Sequence, residues 1–155
     1  MASSTDTTSL PTAADILAQF YAAETAYMAS PPEKRDFMSG MGVVLSPKFT
    51  SFQSPDLPWG GDWHGREGFQ RWSETMAGYF QGLEVLKPKV YQEGSGGDGN
   101  SVLVRATLTL TVRGSGKMWE RPMVQIVEVD RQKGWIGSIR PFYWNVAGLK
   151  EVLGV

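Results

Sequence analysis

The chain has no cysteine and a single histidine, His64, among its 155 residues. The first lack excludes disulfides, thiolate metal sites and cysteine nucleophiles, and the second leaves too few imidazoles for a dedicated zinc or iron centre. The expected chemistry is free of metals and cofactors. An excess of either charge is also missing. Lys+Arg 15 against Asp+Glu 16 gives a net charge of -1, without the electrostatic footprint of a nucleic-acid or anionic-membrane partner. No apolar run approaches the roughly 20 residues of a membrane span, and residues 1–9 lack the basic and apolar regions of a signal peptide. These absences point to a cytoplasmic protein whose partner is a small neutral molecule.

What is present is enough for one domain. A chain of this length can bury a core without staples, so a single unit is expected over residues 11–155, behind a Ser- and Thr-rich tail at 1–10. Thr12 with Asp15 reads as a capping box, and Ile16, Leu17, Phe20, Glu24, Tyr27 and Met28 follow at helical spacing, predicting helix one over roughly 12–29. Ser30-Pro31-Pro32-Glu33 reads as a second helix start, with Phe37, Met38, Met41 and Leu45 inward and Pro47 as its stop. Phe49 to Ser54 alternates as a short strand. Gly65 to Gly82 carries Phe69, Trp72, Met76 and Phe80 on one stripe, predicting helix three with Asp62 as its cap.

Four long strands are then expected, at Glu84–Glu93, Ser101–Arg113, Met118–Asp130 and Trp135–Asn145, joined as an antiparallel meander. Gly94 to Asn100 reads as a hairpin turn, since no helix with a Lys follows it as a phosphate loop would require. The order predicts an α+β architecture: a cone-shaped, curved antiparallel sheet with three helices on its concave face. The strand at Met118–Asp130 is apolar on both alternations, with Met123, Val127 and Val129 on one side and Val124 and Ile126 on the other. A sheet apolar on both faces needs cover on both, which predicts a homodimer through the outer sheet face. The polar row Arg105, Thr107, Thr109 and Thr111 weakens that case and leaves a polar, wet interface as the form it can take.

Candidate functional residues cluster around the aromatic loop Leu57-Pro58-Trp59-Gly60-Gly61-Asp62-Trp63-His64 and the elements expected to face it. His64 either carries a proton near neutral pH or caps the loop. Glu24, four residues after Phe20, either faces a cavity as an acid or base with a raised pKa or sits at the solvent edge of its stripe. Tyr21, Tyr27 and Tyr143 can donate to a developing oxyanion or can simply fill core. Arg121 shares an alternation with Met123 and Gln125, so it points inward as a clamp or reaches solvent from the strand end. Trp59, Trp63 and Trp72 can wall a pocket for a flat apolar ligand.

The phrase His64-Gly65-Arg66-Glu67-Gly68-Phe69 opening helix three, and Ile139-Arg140-Pro141-Phe142-Tyr143-Trp144 closing the sheet, resemble the nuclear-transport-factor-2-like (NTF2-like) superfamily. Within it the chain is most similar to SnoaL-type cyclases and ketosteroid isomerases, over roughly residues 12–150. The resemblance implies a cone fold and a hydrophobic, oxygenated small-molecule substrate such as a polyketide or terpenoid intermediate. It also implies a cofactor-independent isomerase, cyclase or dehydratase, with a non-catalytic carrier or a protein-interaction domain as alternatives. Laid on the ketosteroid isomerase pattern, Phe20 stands at the oxyanion-hole Tyr, Ser54 at the proton-shuttling carboxylate and Gln125 at the protonated acid. Gln125 can still donate to an enolate oxygen, whereas Phe20 and Ser54 cannot replace donor and base. Many SnoaL-like sequences carry an Asp after the closing aromatic pair, and here Asn145 can orient a substrate but not take its proton. The resemblance and the residues together leave His64 or Glu24 to move the proton, with Tyr143 and Gln125 holding the oxyanion.

Overall fold

Thr12 starts the first helix by a reciprocal cap: its Oγ1 accepts from the Asp15 N–H at 3.1 Å, and its own N–H donates to the Asp15 carboxylate at 3.0 Å. In the computed structural model, which describes residues 9–92 and 100–155, this helix is α1 (Ala13–Ala29). Its buried face holds the expected Ile16, Leu17, Phe20, Glu24, Tyr27 and Met28, with Ala13 and Tyr21 in addition. The second expected helix does not form. Pro32–Lys34 and Met41–Val44 are single turns of 3₁₀ helix, because Pro31-Pro32 withholds donors and the Asp36 side chain ties Ser39 into a turn. Phe37 and Met41 still point inward, but Met38 is 50% exposed and Leu45 already belongs to a strand.

That strand, β1 (Leu45–Gln53), starts ahead of the expected Phe49 and runs through Pro47, which was expected to end a helix. Its pairing skips from Leu45 to Thr50, and the irregularity accommodates a residue that has no N–H to donate. An unforeseen short strand, β2 (Gly61–His64), pairs antiparallel with it. Asp62 lies in β2 opposite Phe52, so it does not cap the next helix; His64 occupies that position without a side-chain bond. Helix α2 (Gly65–Tyr79) buries Phe69, Trp72 and Met76 as its stripe requires, and gives way at Phe80 to β3 (Phe80–Gln92).

The late strands match the expected meander: β3, β4 (Ser101–Val112), β5 (Met118–Asp130) and β6 (Trp135–Tyr143) pair antiparallel in sequence. The expected turn at 94–99, the strand end at Glu93 and most of the tail at 1–10 lie outside the described residues. Asn145 adopts a left-handed conformation at φ 60 and caps an unforeseen helix, α3 (Val146–Leu153), by accepting from Gly148 N–H at 3.0 Å. The third helix on the cone is therefore this C-terminal one.

The whole sheet is curved and unclosed, in the order β2-β1-β6-β5-β4-β3, and it is mixed where an antiparallel one was expected. β1 and β6 run parallel, and their pairing ends at Ser51 with Ile139. No helix among the described residues is long and apolar enough to cross a membrane. The core gathers the buried faces of α1 and α2 against the inward rows of the strands, including Val102, Val104, Leu108 and Val127.

Two glycines separate packing from propensity. A methyl at Gly60 would fall against the Ser54 backbone oxygen and within 2.9 Å of Pro55 Cα, whereas nothing lies within 4 Å of one at Gly78 in α2. Gly60→Ala is expected to destabilise by about 2 kcal/mol, and Gly78→Ala to stabilise by about 0.5–1 kcal/mol. Urea unfolding of both variants checks the opposite signs.

Candidate active site

Helical periodicity sets Phe20 and Glu24 one turn apart on the same face of α1, and both line a small hollow under the sheet. The sheet contributes polar groups to it by strand alternation. On β1, Phe49 is inward, so Ser51 and Gln53 are inward too; on β5 and β6 the inward positions bring Gln125 and Tyr143. Phe69 and Trp72 of α2 form the opposing wall, stacked at 4.6 Å between ring centres with 11° between planes. The hollow is narrow, with a volume of about 30 Å³. That admits two or three waters at most, each needing about 10–15 Å³.

Glu24 is 6% exposed and has no hydrogen-bond or ion-pair partner among the described residues. Burial alone disfavours its charge and pushes its pKa from the ordinary 4.5 up to about 8. The groups around it are already arranged in pairs. Tyr21 donates its phenol O–H to Gln125 Oε1, which leaves the Gln125 amide N–H groups without a partner among the described residues. Gln53 donates from Nε2 to Ser51 Oγ at 2.7 Å, and its Oε1 accepts from the Tyr143 O–H at 3.3 Å. Both phenols titrate far above their ordinary value, first because they are buried and second because the Glu24 charge opposes theirs. The Trp59 indole N–H lies close enough to Tyr143 to offset part of that shift, yet outside hydrogen-bond geometry. Among the described residues it is one of three buried indole donors without a partner, with Trp72 and Trp119.

The structure brings together Glu24, Gln125, Tyr143, Phe20 and Trp72 of the residues expected from sequence, with Tyr21 behind Gln125. It does not bring His64 there. That imidazole is exposed at the start of α2, 3.3 Å from Thr50 Oγ1, and lines no part of the hollow. Arg121 is corrected as well: it reaches outward along the strand end, donating to the Glu120 carbonyl at 2.6 Å with its guanidinium over Trp119. Tyr27 is packed away from the hollow between Phe37 and Arg35. Met123 is inward but buried in core, and Asn145 is an exposed helix cap. Trp59 is buried against Tyr79 and Phe80, and Trp63 braces it by donating to its carbonyl at 3.0 Å. Of the three loop and helix tryptophans, only Trp72 touches the hollow. Ser51 and Gln53 were not foreseen, although the Phe49 alternation placed polar residues at two inward positions.

Neither a family model nor a curated protein matches the sequence. Solved structures match its shape. A Bacillus subtilis protein described as a candidate isomerase superposes with a TM-score of 0.71 at 17% identity, covering 92% of each chain. TerC co-crystallised with polyporic acid gives 0.69 at 15% identity, covering 92% of this chain and 98% of its own. A Catenulispora acidiphila protein with a ketosteroid isomerase-like fold, in complex with trimethylamine, gives 0.67 at 16% identity over 91% and 93%. The chain has the NTF2-like fold. At these identities the likeness is one of architecture, and the chemistry of this NTF2-like cone rests on its own residues. Of the three ketosteroid isomerase positions, Phe20 and Gln125 face the inner hollow, while Ser54 lies just beyond β1.

The buried carboxyl links stability to pH. Between pH 4.5 and about 8 the unfolded chain carries Glu24 ionised while the folded chain keeps its proton. The native state therefore binds more protons, and this group lowers stability by about 1.4 kcal/mol per pH unit as pH rises through that window. Glu24→Gln is expected to remove this slope, so its stability gain over the parent should grow from pH 5 to pH 8. Thermal unfolding across that range checks it; a gain independent of pH would contradict the assigned burial.

Proposed function

We propose that the protein moves a proton on the carbon next to a carbonyl in a small oxygenated molecule, with Glu24 as the proton carrier. The observation that supports this reading best is the unpartnered Glu24 carboxyl facing the same hollow as the Gln125 amide and the Tyr143 phenol. A carboxylate whose conjugate acid has a pKa near 8 is a stronger base than an ordinary one, although only about a tenth of it is ionised at pH 7. In its ionised form Glu24 takes the α-proton, and the C–H electron pair moves toward the carbonyl oxygen. The Gln125 N–H groups and the Tyr143 O–H, turned from its long bond to Gln53, hold the resulting enolate oxygen. Return of the proton to the same carbon gives exchange without net change, and its delivery to a conjugated carbon completes an isomerisation in which atoms and electrons balance.

Small-molecule binding is supported further by the structural neighbours, one co-crystallised with polyporic acid and another in complex with trimethylamine. The neighbour described as a candidate isomerase accords with the reaction class. His64 takes no part in this mechanism. The exposed outer-face residues Leu103 and Ile126, paired across β4 and β5, are the surface we assign to self-association of the chain.

Hydrogen–deuterium exchange at the α-carbon of 2-tetralone in D₂O, followed by proton NMR, tests the proton transfer. The parent is expected to exceed the buffer rate, with the rate rising toward pH 8 and levelling above it. Glu24→Gln should fall by about 10²–10⁴-fold, and His64→Gln should match the parent. A parent rate no faster than buffer, or an unimpaired Glu24→Gln, overturns the reading. Ile126→Asp is expected to convert dimers to monomers in sedimentation velocity, and an unchanged mass would remove the assigned surface.

A further inference from the structure

Beyond the hydrogen bond between Tyr143 and Gln53 lies a second hollow of about 310 Å³, roughly ten times the inner one in volume. The two share Gln53, Pro141 and Tyr143 as lining. Its position follows from the strand pairing. β1 and β6 are hydrogen-bonded only as far as Ser51 with Ile139, after which β1 stays with β2 and β6 stays with β5. The two parallel strands therefore part as a fork at their C-terminal ends. Pro55 just past β1 and Pro141 in β6 have no N–H with which to close it. The fork explains why one hollow is lined by inward residues, Gln53, Pro141 and Tyr143, together with Phe52, Arg140 and Phe142 from the opposite alternation.

Arg140 is the charged group of this outer hollow. Its guanidinium carbon stands 4.2 Å from the centre of the Phe52 ring, and it has no ion-pair partner among the described residues. A guanidinium held against an aromatic face loses little further freedom on binding a carboxylate. The inner hollow offers the reverse chemistry: its carboxyl tolerates charge poorly, and its amide and phenol donors suit a neutral carbonyl or hydroxyl oxygen.

We propose that the fork is the ligand's entrance and that the ligand is an organic acid of defined polarity. Its small neutral oxygenated head passes Tyr143 and Gln53 into the inner hollow. Its apolar body rests between Phe142 and Pro141, and its carboxylate pairs with Arg140. The head alone has to fit beside Glu24, which reconciles the small inner volume with a larger substrate. This identifies the substrate class for the site of the proposed proton transfer and rests on that assignment of the inner hollow.

Isothermal titration with two probes that differ only in the carboxylate, 6-hydroxy-2-naphthoate and 2-naphthol, tests it by binding instead of turnover. The parent is expected to bind the naphthoate about tenfold more tightly than the naphthol. Arg140→Gln should abolish that preference while leaving the naphthol affinity unchanged. Tyr143→Phe should change the affinity for both probes and retain the preference, and far-ultraviolet circular dichroism confirms that each variant is folded. Equal affinities in the parent, no binding of either probe, or a preference that survives Arg140→Gln overturns the proposal. A protein that shows the preference but exchanges no α-protons refutes the catalytic reading and leaves the organic-acid site standing.

Discussion

Burying the Glu24 carboxyl without a counter-charge is the constraint around which the interior is arranged. A charge in that position would cost several kcal/mol, and the protein avoids it by holding the proton to a pKa of about 8. The neighbouring polar groups are tied to one another instead of to Glu24: Tyr21 to Gln125, Gln53 to Ser51 and Tyr143 to Gln53. These bonds link inward polar side chains of three strands and one helix, and leave the Gln125 N–H groups without a partner among the described residues. The carboxyl stays unpartnered among the described residues, facing a space of a few tens of cubic ångströms.

That space is a consequence of topology as much as of side-chain choice. An antiparallel meander alone would give a continuous inner face. Here the mixed pairing brings β1 beside β6 in parallel and then lets the two diverge after Ser51 and Ile139. The aromatic rings of Phe20, Phe69 and Trp72 pack together and wall the hollow on the helical side. What is left empty is the corner where strand alternation delivers polar residues and where the sheet is parted. Site and entrance thus share one cause, the end of a hydrogen-bonded ladder.

Elements with a long, unbroken period were legible in the sequence. α1, α2 and the four late strands fall within a few residues of their expected bounds because their apolar repeats run for many residues and their caps are local. The stretch from Ser30 to Leu45 misled, since inward Phe37 and Met41 are four apart as in a helix, yet two prolines and the Asp36 turn prevent one. β2 and α3 are too short to show a period, and the parallel neighbour of β1 lies some ninety residues away in sequence. In the site, Glu24 was legible because a carboxylate on an apolar stripe is a local contradiction. Ser51 and Gln53 carried the same signal on a strand. His64 and Arg121 drew attention by residue type, but their orientation depended on a helix start and a strand end that the pattern leaves open.

The departures from the ketosteroid isomerase pattern then acquire a physical reading. In that pattern the proton shuttle sits near the end of the first long strand, where this chain has Ser54, and the helix supplies a phenol donor, where this chain has Phe20. Here a carboxyl stands one helical turn after Phe20, and a phenol stands at the end of β6, beside the strand whose carboxylate is missing. Helix and strand carry the two chemical types the other way round from that pattern, and both face one hollow. Such an arrangement needs no change of fold, because residues i and i+4 of α1 and alternate residues of β1 and β6 already share that face. This arrangement does change the environment of the carboxyl. On α1 the carboxyl is enclosed by apolar rings, so its pKa is raised by desolvation, whereas at Ser54 it would stand in the outer hollow beside the exposed Arg140 guanidinium, which favours the charged form. The position of the carboxyl within a common architecture, more than its presence, therefore decides how far its pKa is raised.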